Sequence, residues 1–220
     1  MIVVVGSPIV GVSDGGLRAA GLTTGIARAA AGGGSEVQVV GKVGEDPGGD
    51  AVLLDLAAAT VGHVAILRDA SRPTPAAPPQ LDDEVSFDVP IIQPATEGGT
   101  EPAVSVTGLS LEPADIEVAL RYLPDYRVLV VADPLSEASL RVAAAAAGWN
   151  GATLVVVVAA GSAQPSPADD ATIIEAPADD PDGAFAAVVG AYAAAIDRGE
   201  EPAEAFTTAS SVVGWSAIAE

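Results

Sequence analysis

The sequence predicts an α/β domain built around a mostly parallel sheet. Three observations carry that expectation. Short β-branched runs at residues 2–5, 37–40, 127–132 and 153–158 lack polar alternation, as strands buried on both faces do. Ala-rich stretches of helical length separate them. Clusters of Gly, Pro and Asp mark each change of pattern. Strands that alternate with helices pair in parallel, and ligands then sit beyond the strand carboxyl ends.

In order, residues 2–5 form a first strand ending at Gly6-Ser7-Pro8, and 9–12 read as its continuation. Ser13-Asp14-Gly15-Gly16 is a turn, with Asp14 placed to cap a helix over 17–31 that stops at Gly32-Gly33-Gly34. A strand at 37–40 leads into a loop over 41–49, a helix over 50–60 and a short strand at 64–67. The texture then becomes Pro-rich. Residues 71–103 are expected to be a lid or flap on a single 1–220 domain, with strand patterns at 85–89 and 104–106. A helix over 112–123, the strand 127–132 ending at Asp133-Pro134, a helix over 136–147 and the strand 153–158 follow. Beyond a Ser/Pro/Asp loop (162–170) come a strand at 172–174, an acidic turn, a helix opening at Gly183-Ala184, and a last helix over 202–218.

Composition narrows the function classes. The chain of 220 residues carries 30 acidic and 9 basic residues, for a net charge of -21. That charge repels phosphate backbones and anionic lipid, so neither nucleic acid nor membrane is expected as a partner. There are no cysteines, so disulfides and thiolate metal sites are ruled out. The start reads as a strand rather than a secretory leader, and a cytoplasmic location is expected. A P-loop, a Gly-x-Ser-x-Gly elbow and a GxGxxG after the first strand are all missing.

The acidic turn before Ala184 draws attention on chemical grounds. N–H groups at a helix start have no internal partners, so such a turn can hold an anion. A carboxylate beside that anion could accept a proton from an attacking hydroxyl. The competing reading is that Asp179, Asp180 and Asp182 only start a helix, where acidic residues suit the dipole. Lys42, the single lysine, is either a ligand contact or a solvated charge. Gly15-Gly16 can be a turn and nothing more. His63 reads as structural, Trp149 and Trp215 as core or interface packing, and Phe185 with Tyr192 as one buried helix face.

The Gly15-Gly16 turn, the helix after it, the run Gly41-Lys42-Val43-Gly44-Glu45-Asp46-Pro47-Gly48-Gly49 and then Arg72-Pro73-Thr74 resemble the amino-terminal half of the ribokinase-like (PfkB) carbohydrate kinases. Ala184-Phe185, with Gly190 and Gly199 ahead of a last helix, resembles that family's carboxy-terminal turn. The resemblance implies a three-layer α/β/α fold with a small β lid. It also implies phosphoryl transfer from ATP with Mg2+ to a hydroxyl of a small carbohydrate-like ligand. By the same resemblance, Gly15, Gly16, Gly41 and Lys42 line the substrate pocket, the amides of Gly183 and Ala184 form an anion hole, and Asp182 or Asp180 is the base. No metal ligands are assigned.

The departures are as specific. Gly11 and Ala20 stand where the family has an acidic residue and an Asn. The family's Gly-Ala-Gly-Asp turn falls on Asp180-Pro181-Asp182-Gly183, so only a one-residue slip restores an aspartate. The Asn-x-x-Glu motif is missing, since Asn150 is the only asparagine. The middle of the chain is also short for the family. The expectation is therefore a shortened, motif-degenerate relative: either a sugar or nucleoside kinase or a non-enzymatic binding or assembly module. Pairing of two copies through a strand at 85–89 is a further expectation.

Overall fold

A computed structural model describes residues 1–13, 15–77, 109–162, 170–178, 180 and 182–213. Eight strands and six helices occur among them, in the order β1 (Ile2–Val5), β2 (Ile9–Ser13), β3 (Gly16–Ala20), α1 (Gly21–Gly32), β4 (Val37–Gly44), α2 (Pro47–Ala58), β5 (Gly62–Asp69), α3 (Pro113–Tyr122), β6 (Val128–Val131), α4 (Glu137–Asn150), β7 (Thr153–Ala159), β8 (Thr172–Ala176), α5 (Ala184–Asp197) and α6 (Pro202–Val213). Six strands make one sheet in the order β5-β4-β1-β6-β7-β8, and every neighbouring pair is parallel. β2 and β3 form a separate antiparallel hairpin. Asp14, Asp179, Trp215 and the strand patterns at 85–89 and 104–106 lie outside the described residues, as does most of the expected lid.

Successive side chains of a strand point to opposite faces, and here both faces are covered. Ile2, Val4, Val39, Val43, Val128, Val130, Val155 and Val157 pack with α1, α2, α5 and α6. Val3, Val5, Val40, Leu129, Val131, Leu154 and Val156 pack with α3 and α4. This makes three layers, α/β/α, with the sheet in the middle. The β-branched runs lack polar alternation for that reason: neither face meets water.

α5 is the most enclosed helix. Phe185 and Tyr192 share its buried face, and Tyr192 meets Phe206 of α6 edge-on with ring centroids 6.3 Å apart. Its close approach to α1 depends on Gly190, where a Cβ would lie 2.6 Å from the Ile26 carbonyl oxygen and 2.6 Å from the Ala29 Cβ.

The structure corrects three local expectations. Residues 17–20 are the second arm of a hairpin, and helix α1 begins only at Gly21. Residues 41–44 are not loop but the last half of β4, paired with β5 beyond the end of β1. Of the two places expected for Trp149, core or interface, the core is overturned: it is 92% exposed near the end of α4. In the two strand cases the local composition suited a second state, and long-range pairing decided between them.

Candidate functional site at the sheet's carboxyl edge

All six strands of the sheet run the same way, so their carboxyl ends share one edge. Gly6-Ser7 after β1, Asp133 after β6 and the start of α1 meet there. The Thr23 hydroxyl donates to Asp133 Oδ2, and the Ser7 N–H donates to the same oxygen at 2.8 Å. Thr23 is fully buried, and a Cβ on Gly6 would land on its hydroxyl, so only Gly lets these three segments close up. Asp133 also lines a cavity of about 260 Å3 with Pro134, Leu135, Ser162 and the ends of β6 and β7. A larger hollow of about 710 Å3 lies between α3 and α4, lined by Leu120, Val142 and Trp149. It belongs to the helical layer and not to the strand ends.

Lys42 follows from strand parity. It sits two residues after Val40 and so shares the α3/α4 face of β4. There its Nζ meets Asp115 Oδ2 of α3 at 2.9 Å, and both side chains are largely covered. The same Asp115 oxygen accepts from the Glu112 N–H in a capping box that starts α3. Burial pushes the Asp115 carboxyl up, but the hydrogen bond from Lys42, the Glu112 N–H and the Lys42 charge outweigh it and hold the group below the usual range. Gly41 faces the opposite way, against Pro8 and the Gly6 carbonyl oxygen. Gly15 and Gly16 are exposed at the hairpin tip, and Gly16 has φ +105°, which suits glycine.

Asp46 caps α2. Its Oδ1 accepts from the Gly49 N–H at 2.8 Å and the Thr74 hydroxyl at 2.7 Å, and its Oδ2 accepts from the Thr74 N–H at 2.7 Å. The Thr74 hydroxyl and the Gly49 N–H hold the carboxyl below its ordinary range, against a smaller upward push from burial. The start of α5 is built in a similar way. Gly183 is its cap residue, with φ 67°, and the Asp180 carboxylate reaches forward to accept from Phe185 N–H at 2.9 Å and Ala186 N–H at 3.1 Å. The Gly183 N–H donates to the Asp180 carbonyl oxygen at 3.2 Å. Asp182 is exposed and has no hydrogen-bond partner among the described residues.

Thus the structure brings Asp180, Gly183 and Ala184 together at one helix start, while Lys42 turns to α3 and the Gly15-Gly16 tip projects into solvent. Thr23 was missed by sequence reasoning. The only signal for it was a Thr23-Thr24 pair interrupting an Ala-rich run. Among the described residues no group of three or more His, Asp or Glu side chains could hold a metal ion. No helix there is long and apolar enough to cross a membrane.

No protein-family model matches the chain, and no curated protein does. Solved structures do match. One is an E. coli protein assigned as ribokinase II, in complex with ATP and Mg2+. It superposes with a TM-score of 0.64 at 13% identity, covering 100% of this chain and 93% of that one. Arabidopsis thaliana ribokinase, complexed with ribose and ATP, gives 0.63 at 13% identity over 96% and 90%. A PfkB protein from Polaromonas gives 0.61 at 15% over 98% and 96%. The chain has the ribokinase-like (PfkB) sugar-kinase fold. At these identities the likeness establishes the fold and not the substrate.

Proposed function

We propose that this chain is a ribokinase-like binding module that takes a small hydroxylated, carbohydrate-like ligand at the carboxyl edge of its sheet without phosphorylating it. One observation carries the reading. The Asp180 carboxylate already sits at the α5 start, held by the Phe185 and Ala186 amides next to the Gly183 and Ala184 amides expected to receive an anion. A fixed negative charge at that point repels another, and phosphoryl transfer depends on stabilising charge there. The donors around α5 therefore do not fit a nucleotide triphosphate as they stand. Lys42 is likewise spent on Asp115. Asp133, already oriented by Ser7 and Thr23, is the acceptor best placed for a ligand hydroxyl.

A second reading, ATP- and Mg2+-dependent phosphoryl transfer to a sugar or nucleoside hydroxyl, draws on Asp182. It is an exposed carboxylate with no partner among the described residues, two residues ahead of Ala184, the place expected of a base. In that reading Gly15, Gly16, Gly41 and Lys42 serve the acceptor, and the Gly183 and Ala184 amides serve the anion.

Calorimetric titration with ATP and Mg2+ separates the two. The binding-module reading expects no heat of nucleotide binding in the wild-type chain at about millimolar ATP, where simple contacts would register. It also expects phosphate affinity to appear in Asp180→Ala, which uncovers the amides. Turnover by the wild-type chain that Asp182→Asn abolishes would overturn it in favour of the kinase.

A further inference from the structure

On the face of the molecule away from α5, helix α3 stands as a ridge between two hollows. One, of about 710 Å3, is shared with α4, and the other, of about 560 Å3, is shared with β5. Helical spacing gives α3 two apolar stripes. Ile116, Ala119 and Leu120 are buried against the sheet, while Ala114, Val118 and Tyr122, each four residues from the next, turn outward. Val118 is 50% exposed and Tyr122 78%, and the exposed Trp149 lines the hollow on the α4 side. Nothing among the described residues covers these three side chains. Tyr, Trp and Arg are the types that most often anchor a protein interface, and with Arg121 all three stand on this one surface.

Charge selects the partner. Residues 113–150 hold five acidic and three basic side chains, against 30 and 9 in the whole chain, and one of the five, Asp115, is paired with Lys42. This layer is therefore where two such acidic chains repel each other least. Its exposed charges are also balanced: Glu117 pairs with Arg121 on α3 at 2.8 Å, and Glu137 with Arg141 on α4 at 2.8 Å. Along α3 the Glu lies one turn ahead of the Arg, with Val118 and Tyr122 in the same order beside them. A stripe of that kind is its own complement. Laid antiparallel on a second copy across a two-fold axis, it sets Glu against Arg and apolar against apolar.

We infer that the α3–α4 layer is an isologous interface between two copies of this chain, with α3 of each antiparallel to α3 of the other. Glu117 meets the partner's Arg121, Val118 packs on the partner's Tyr122, and the hollow beside Trp149 is closed by the second copy. Burial of these apolar side chains drives the association, and the crossed charges fix its direction. The interface leaves the carboxyl edge of the sheet open in both copies, since α3 and α4 lie on one face of the sheet.

Sedimentation of the full chain at about 100 μM is expected to give a mass near twice the 21.6 kDa of one chain. Val118→Asp with Tyr122→Ser should weaken the dimer about tenfold or more without lowering the melting temperature of the monomer, because both side chains are exposed within one chain. Arg121→Glu alone should weaken it by about as much, since like charges would then face each other. Glu117→Arg combined with Arg121→Glu reverses both charges and should restore it. A single-chain mass at that concentration, a dimer indifferent to the Val118 and Tyr122 changes, or a reversed pair no better than Arg121→Glu would each overturn the inference. So would a monomer whose Trp149, read alone in Trp215→Phe, is shielded from acrylamide; that result would assign the cover to residues of the same chain.

Discussion

Two helix starts in this molecule use the same device to different ends. At α2, Asp46 satisfies a first-turn amide and at the same time ties down Thr74, so the carboxylate is shared between a helix and a neighbouring strand. At α5, Asp180 also satisfies first-turn amides, and both of its acceptor bonds go to that one helix, to Phe185 and Ala186 N–H. Capping of this kind adds stability wherever it occurs. What differs is what else the amides could have held. The α2 start is wedged against Thr74 and the end of β4, so nothing is lost by closing it. The α5 start lies after β8 at the carboxyl edge of the sheet, and closing it occupies amides that a bound anion would need. A motif can thus keep its geometry while its donors are turned inward.

Substitutions can break this contrast on the α2 side first. Gly44→Ala would set a Cβ 2.6 Å from the Thr74 nitrogen and 2.7 Å from the Arg72 carbonyl oxygen, both backbone. The expected loss is about 3 kcal/mol by denaturant unfolding, because backbone on both sides cannot yield. A loss below about 0.5 kcal/mol, the range of a bland surface change, would mean that the contact with Thr74 is loose.

Asp46→Asn is expected to cost less, about 1–2 kcal/mol near neutral pH. Its sign with pH follows from the lowered pKa, which Thr74 sets first, with Gly49 and the Arg68 charge assisting. The contribution is fully present above the unfolded aspartate value of roughly 3.9 and is lost as pH falls through the folded value. Melting temperatures of wild type and variant should therefore converge in acid. A gap that persists at the lowest pH would assign the effect to shape and not to charge.

Lys42→Gln should have the smallest effect, under about 1 kcal/mol, since the pair is partly solvated and screened. Its value is diagnostic. If Lys42 serves α3 alone, the loss shrinks with added salt and ligand affinity is unmoved. A large fall in affinity with little change in stability would return Lys42 to the binding site.

Much of the architecture was legible in the letters. The β-branched runs at 2–5 and 128–131 could be little but buried parallel strands, whereas α2 begins at Pro47, three residues ahead of the start read at 50, because the Asp46 cap and the Pro ring set it there. The site was legible only as a neighbourhood. That Asp180 and Gly183 flank a helix start could be read; which aspartate turns back onto the amides could not, since the two stand two residues apart in a turn of similar residues. The bond between Thr23 and Asp133 spans 110 positions, and no local pattern encodes such a meeting.

By itself, then, the sequence determined the order of strands and helices, because β-branched runs, Ala-rich stretches and Gly/Pro breaks act over a few residues. Tertiary structure decided three things that local forces leave balanced. Residues 17–20 became strand because residues 9–13 offered a partner. Residues 41–44, Gly-rich and indifferent, were drawn into β4 by β5. Lys42 went to Asp115 because strand parity turned it toward α3, a consequence of the pleat that only the assembled sheet reveals.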